Sequence, residues 1–61
     1  MNLRRVDQQL AWPDAVPPHE LREWVRSQLL LEGDLLRWAI TAVSRDSSGA
    51  RWLQVEAVVQ K

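Results

Sequence analysis

The residues that could carry out catalytic chemistry are few and scattered. His19 is the one histidine, and Ser47 with Asp46 would complete a Ser-His-Asp set on paper. A serine nucleophile of that kind normally lies in a G-x-S-x-G turn between a strand and a helix, and Ser47 has no such surroundings. Pro18 suits the first position of a helix, so His19 falls in the first turn, where the helix dipole disfavours its charged form. We therefore interpret His19 as an exposed helix residue and not as a general base.

Carboxylates, glycines and metal-binding residues give no stronger signal. The 8 acidic residues are dispersed, and none is placed by its neighbours in the apolar cleft that acid–base catalysis requires. Phosphate-binding loops are rich in glycine, whereas this chain has only Gly33 and Gly49. With no cysteine and one histidine, the usual structural zinc sites are excluded. The sequence therefore predicts no enzyme activity, no metal and no cofactor.

Length and charge limit the remaining classes of function. The 61 residues predict a single small domain, 1–61, whose core no disulfide can support because cysteine is absent. The net charge is zero in the whole chain and in each half, so no overall field attracts a polyanion. No apolar run is long enough to cross a membrane, and the charged start lacks the apolar core of a signal peptide. We therefore expect a cytoplasmic protein that does not contact a membrane.

One amphipathic helix is predicted near the middle of the chain. Apolar residues recur at helical spacing from Leu21 to Leu29 and predict a helix over residues 18–31, with Gly33 as its stop. Trp24 lies on the apolar stripe of this helix and is assigned to the core. Residues 1–16 are predicted to be an extended arm or a short strand.

A β-hairpin is predicted after the helix. Alternating apolar residues indicate strands over 35–44 and 51–60, joined by a polar turn. The favoured register brings the two apolar sets together on one face, under the helix, and it places Trp38 in the core. It pairs Leu36 with Val59, Trp38 with Ala57, Ile40 with Val55 and Ala42 with Leu53. A register that closes on Ser48-Gly49 is the alternative.

These elements predict an α+β fold in which the hairpin packs on the helix. A two-stranded hairpin alone is marginal in water, so a third strand is expected. The N-terminal segment could supply it, which gives the order β-α-β-β. If it remains an arm, the order is α-β-β, and a partner chain could supply the third strand.

The hairpin face that points away from the helix is the candidate interaction surface. It is predicted to carry Arg37, Ala39, Thr41, Val43, Trp52, Gln54, Glu56 and Val58. A solvated sheet face is normally polar, and this one is partly apolar. Three interpretations remain open, namely cover by the arm through Leu10 and Trp12, contact with another protein or a second copy, and binding of nucleic acid.

Contact with another protein or with a second copy is the predicted function, in a non-catalytic interaction or self-association module. Tryptophan and arginine are favoured at such contacts. The candidate contact residues are Trp52, Val43, Arg37, Val58 and Trp12. The alternative is single-stranded nucleic acid, with Trp52 stacked on a base and Arg37, Arg45 and Arg51 on phosphates. The zero net charge argues against it, because phosphate neutralisation dominates such binding.

Overall fold

The fold was analysed in a computed structural model that describes residues 2–60. Met1 and Lys61, the two ends of the predicted domain 1–61, lie outside the described residues. In chain order the elements are β1 (Leu3–Ala11), a 3-10 turn (Pro18–Glu20), α1 (Leu21–Leu29), a 3-10 turn (Leu30–Glu32), β2 (Asp34–Arg45) and β3 (Arg51–Gln60). The predicted α+β class and the order β-α-β-β are confirmed.

The three strands form one antiparallel sheet in the order β1-β3-β2. The last strand in the chain is therefore the central one, and α1 connects the two strands that flank it. β1 pairs with β3 without interruption, from Leu3 opposite Gln60 to Ala11 opposite Trp52. The N-terminal segment thus supplies the third strand, and that strand is longer than the short one predicted.

The helix lies on one face of this sheet. Leu21, Val25 and Leu29 are buried, and Trp24 is half-buried against them. Gly33 follows the 3-10 turn Leu30–Glu32 and ends the helical segment. Its φ is +146°, and a Cβ at this position would lie 3.1 Å from the carbonyl oxygen of Gln60. Only glycine adopts this backbone conformation without strain, so the predicted stop is confirmed. Within residues 2–60, no helix has the length and apolar character to cross a membrane.

The core lies between the helix and the sheet, and β3 contributes half of it. The buried apolar residues are Val6, Leu21, Val25, Leu29, Leu53, Val55, Ala57 and Val59. Trp24 and Trp38 pack against this cluster as predicted, although both remain half-buried. The guanidinium carbon of Arg22 lies 4.8 Å from the ring centroid of Trp38 and shields part of that ring.

The hairpin register is as predicted at its centre and shifted at both ends. Trp38 lies opposite Ala57 and Ile40 lies opposite Val55, as expected. Two β-bulges interrupt β2, one between Leu35 and Arg37 and one between Ile40 and Ala42. The predicted pairs Leu36–Val59 and Ala42–Leu53 are therefore wrong.

The first bulge reverses the predicted positions of Leu35 and Leu36 relative to the core. Leu35 lies opposite Val59 and is half-buried against the core, whereas Leu36 is an additional residue and is 54% exposed. A bulge places two residues of one strand opposite one residue of its partner, so the alternation of faces changes by one position.

The second bulge moves Val43 to the other face of the sheet. Thr41 is the additional residue, and its hydroxyl donates to the carbonyl oxygen of Gln54 at 3.2 Å. Ala42 then lies opposite Gln54, and Val43 lies opposite the buried Leu53. The prediction that Val43 belongs to the outer face is therefore wrong. It lies on the helix side but remains 57% exposed.

Candidate protein-interaction surface

The described chain has one α-helix and one sheet, so no second layer of structure packs on the sheet face away from α1, which is called the open face here. β1 extends the sheet sideways, and Leu10 lies opposite Leu53 and packs against the core. The interpretation that the arm covers this face is therefore wrong. By strand pairing the open face comprises Leu3, Arg5, Asp7, Gln9, Ala11, Trp52, Gln54, Glu56, Val58, Gln60, Asp34, Arg37, Ala39, Ala42 and Ser44.

A shallow depression of about 420 Å³ lies towards one end of the open face. Val58 is at its centre, half-buried, with Arg5 directly opposite on β1 and Arg37 directly opposite on β2. The guanidinium of Arg5 lies 3.7 Å from the carboxylate of Glu56. Among residues 2–60, no carboxylate forms an ion pair with Arg37. The depression therefore combines an apolar centre with an available guanidinium.

Trp52 lies at the other end of the open face. It is half-buried, and its neighbours on the adjacent strands are the small residues Ala11 and Ser44. Trp52 and Val58 are six positions apart along β3, a distance of about 20 Å in an extended strand. The two predicted contact residues therefore share a face but not a single pocket.

The indole of Trp52 is held by the hairpin turn. Its N–H donates to Oδ2 of Asp46 at 3.0 Å. Oδ1 of Asp46 accepts from the backbone N–H of Ser48 at 2.9 Å, the hydroxyl of Ser48 at 2.6 Å and the backbone N–H of Ala50 at 3.0 Å. These hydrogen bonds, chiefly those from Ser48 and Trp52, lower the pKa of Asp46 to about 2. The carboxylate is a structural acceptor in the turn.

The hypothetical catalytic residues are engaged in other contacts. Both carboxylate oxygens of Asp46 accept hydrogen bonds, Oδ1 from the turn and Oδ2 from Trp52. His19 lies in the short 3-10 turn before α1, and its Nε2 is 3.5 Å from the exposed carboxylate of Glu20. Within the described part of the chain, no three potential metal ligands from His, Cys, Asp and Glu converge.

Trp12 packs against its own chain. Its indole N–H donates to the carbonyl oxygen of Val16 at 2.8 Å, and the guanidinium carbon of Arg51 lies 3.9 Å from its ring centroid. The ring is half-buried against the core. Although the sequence predicts Trp12 as a contact residue, its polar group and one ring face are already used within the chain.

The structure brings together only part of the predicted contact set. Arg37 and Val58 are adjacent, whereas Val43 lies on the helix side. Arg45 pairs with Arg51 next to the pair Ser44–Trp52, so alternation places both arginines on the face opposite Trp52. Arg5 is a neighbour of Val58 that the sequence does not reveal, because the pairing of β1 with β3 could not be predicted.

Comparisons with known proteins identify a family. No curated protein and no solved structure matches the chain. Residues 4–61 match the model of a family described as "Domain of unknown function (DUF8621)". This match covers nearly the whole chain, so the protein belongs to the DUF8621 family.

Proposed function

We propose that the chain is a non-catalytic protein-interaction module that binds a protein partner on the open face. The observation that carries this proposal is the depression centred on Val58, with Arg37 available beside it. An apolar centre with a charged rim is the usual anatomy of a protein contact.

The chemistry of the depression indicates what the partner presents. Val58 and the neighbouring Ala39 offer apolar contact, while Arg37 can form a two-pronged hydrogen bond to a carboxylate. Arg5 lies 3.7 Å from the carboxylate of Glu56 and offsets part of its charge, which weakens its repulsion of an acidic group. The partner surface that fits carries an apolar side chain next to a carboxylate.

Single-stranded nucleic acid is supported less well than a protein partner. A base stacked on Trp52 would need nearby cations for its phosphates, but Arg45 and Arg51 lie on the other face. Arg51 is also stacked on Trp12. The open face mixes both charge signs, with Asp7 and Glu56 beside Arg5 and Arg37.

Site-specific photo-crosslinking in the native host tests the proposal. A photoreactive amino acid replaces Ala39, which is exposed in the depression, and a second variant carries it at Arg26, on the exposed side of α1. We expect a protein adduct from position 39 and none of that mass from position 26. The adduct should disappear when Arg37→Glu is added to the position 39 probe.

Arg26→Glu, added to the position 39 probe, is the matched control, because it reverses an arginine charge on the exposed side of α1. It should leave the adduct unchanged. A nucleic-acid adduct at position 39 would overturn the proposal in favour of the alternative. The absence of any adduct, or an adduct insensitive to Arg37→Glu, would also contradict it.

A further inference from the structure

We propose that two copies of the chain associate through their β1 edges and form a continuous six-stranded antiparallel sheet. The free edge of β1 borders the open face, and the side chains of Arg5 and Asp7 belong to both, but the backbone pairing proposed here does not depend on a partner in the depression. The occupant of the edge is β1 of a second copy, centred on Val6, with Arg5 of each copy opposite Asp7 of the other.

The choice of edge follows from the regularity of the two outer strands. An edge strand presents unpaired backbone N–H and C=O groups that can pair with another chain. β2 is interrupted by two bulges, and bulges are a common way to blunt an edge. β1 has no bulge and no proline, and it keeps one register with β3 from Leu3 to Ala11. Only β1 therefore offers a regular edge.

The charges on β1 select the register. A two-fold pairing that keeps both helices on one side of the sheet places one residue opposite itself. Centring on Arg4, Arg5 or Asp7 would oppose like charges, which is unfavourable in directly opposed positions. Centring on Val6 instead places Arg5 opposite Asp7 twice and Val6 opposite Val6. Centring on Gln8 opposes no charges and offers no such gain.

Asp7 lacks a compensating cation within one copy. Its neighbour across the sheet is Glu56, a like charge, and Arg5 turns to Glu56 at 3.7 Å. Among residues 2–60, no cation forms an ion pair with Asp7. In the proposed dimer, Arg5 of the second copy lies directly opposite this carboxylate.

The helix side of β1 supplies a second, independent observation. Oε1 of Gln8 is buried and has no hydrogen-bond partner. The Val6-centred register places Arg4 of the second copy opposite Gln8. Nη2 of Arg4 donates to the backbone carbonyl oxygen of Glu32 at 3.1 Å within its own copy. The other N–H groups of this guanidinium can donate to Gln8 of the second copy. The half-buried Gln8 side chain therefore gains a neighbouring donor on association.

Charge reversal tests the edge and the register together. Sedimentation equilibrium over a concentration series should show the wild type approaching twice the 7.1 kDa chain mass. Asp7→Arg and Arg5→Asp should each raise the dissociation constant about tenfold, because attraction is replaced by repulsion at both symmetric positions. The double variant R5D/D7R should return close to the wild-type value.

Controls separate loss of the dimer from loss of the fold. Asp7→Arg gains a favourable neighbour in Glu56, so its circular dichroism should remain that of the wild type. Arg26→Asp, the same charge change on the exposed side of α1, should leave the dissociation constant unchanged. Amide exchange should slow with concentration along residues 3–11 and stay constant along residues 34–45.

Three outcomes would overturn the dimer. They are a wild type that remains at 7.1 kDa at its highest soluble concentration, a folded double variant that fails to recover, and protection that develops along β2. None of them affects crosslinking from Ala39, so failure of the dimer and failure of the proposed function are distinguishable.

Discussion

Trp52 and Asp46 join the open face of the sheet to the hairpin turn through a single hydrogen bond. The indole N–H of Trp52 lies 3.0 Å from Oδ2 of Asp46, while Oδ1 holds the turn through Ser48 and Ala50. The orientation of a large aromatic side chain therefore depends on the charge of one exposed carboxylate.

The Asp46 contact should be lost only in strong acid. The pKa of Asp46 is lowered from 3.8 to about 2 in the folded chain. The charged carboxylate therefore stabilises the fold fully when the pH is above 3.8, and this contribution is lost as the pH falls through about 2. Titration of the Trp52 indole N–H resonance should give a midpoint near 2. Asp46→Asn should remove this transition, and a wild-type midpoint near 3.8 would show that the hydrogen bond does not persist.

Substitution of the two leucines at the first bulge should have unequal effects. Leu35→Asp should lower the free energy of unfolding by roughly 1–3 kcal/mol, because it buries a polar group against the core. Leu36→Asp should change it by less than about 0.5 kcal/mol, since Leu36 is exposed. Urea unfolding followed by circular dichroism measures both. If Leu36→Asp destabilised the fold more than Leu35→Asp, Leu36 would be the residue opposite Val59 and the bulge would be absent.

Gly33 should tolerate a side chain less well than Gly49. Gly33→Ala combines φ +146° with a 3.1 Å approach to the carbonyl oxygen of Gln60 and should destabilise the fold by about 1–3 kcal/mol. Gly49→Ala, at φ +89° with no atom within 4 Å, should cost about 1 kcal/mol from backbone strain alone. Thermal unfolding of both variants compares them. Equal losses would mean that the contact with Gln60 is unimportant.

Removing the unpaired carboxamide of Gln8 should stabilise one copy of the chain. Gln8→Met keeps the length of the side chain and removes a buried oxygen without a partner, so stability should rise by about 1 kcal/mol. Urea unfolding in the Asp7→Arg background, at protein concentrations where sedimentation shows a monomer, removes the contribution from association. Gln9→Met, on the exposed face, is the control and should change stability by less than about 0.5 kcal/mol. A destabilised Gln8→Met would indicate that the carboxamide does have a partner.

The helix and the central strand could be predicted because their burial follows simple periods. Leu21, Val25 and Leu29 recur once per helical turn, and all three are buried. In β3 every second residue from Leu53 to Val59 is buried, which is the period of a strand with one covered face. Strong periodicity with one buried face is therefore sufficient to assign these two elements.

The bulges could not be predicted because the residues around them are interchangeable by type. Leu35 and Leu36 are identical, and Ala42 and Val43 are both apolar, so alternation fits either choice. The structure resolves the choice through pairing with β3, which a pattern within β2 does not contain. The error in placing Val43 on the outer face follows directly from this ambiguity.

The full length of β1 could not be predicted for a different reason. Its helix-side positions alternate between Arg4, Val6, Gln8 and Leu10, so polar residues interrupt the apolar signal of a strand. The same two polar residues lie opposite each other in the proposed dimer. A strand whose covered face is only half apolar is difficult to recognise from one sequence.

The central position of β3 also determines when the domain can fold during synthesis. β1 and β2 form no hydrogen bonds with each other. Both pair only with β3, which is synthesised after them. Until β3 emerges, the nascent chain has no sheet, because residues 3–11 and 34–45 lack the strand with which both pair. The sheet is therefore expected to form only after residues 51–60 have been synthesised, and the pairing of Leu3 with Gln60 joins positions 57 residues apart in the sequence.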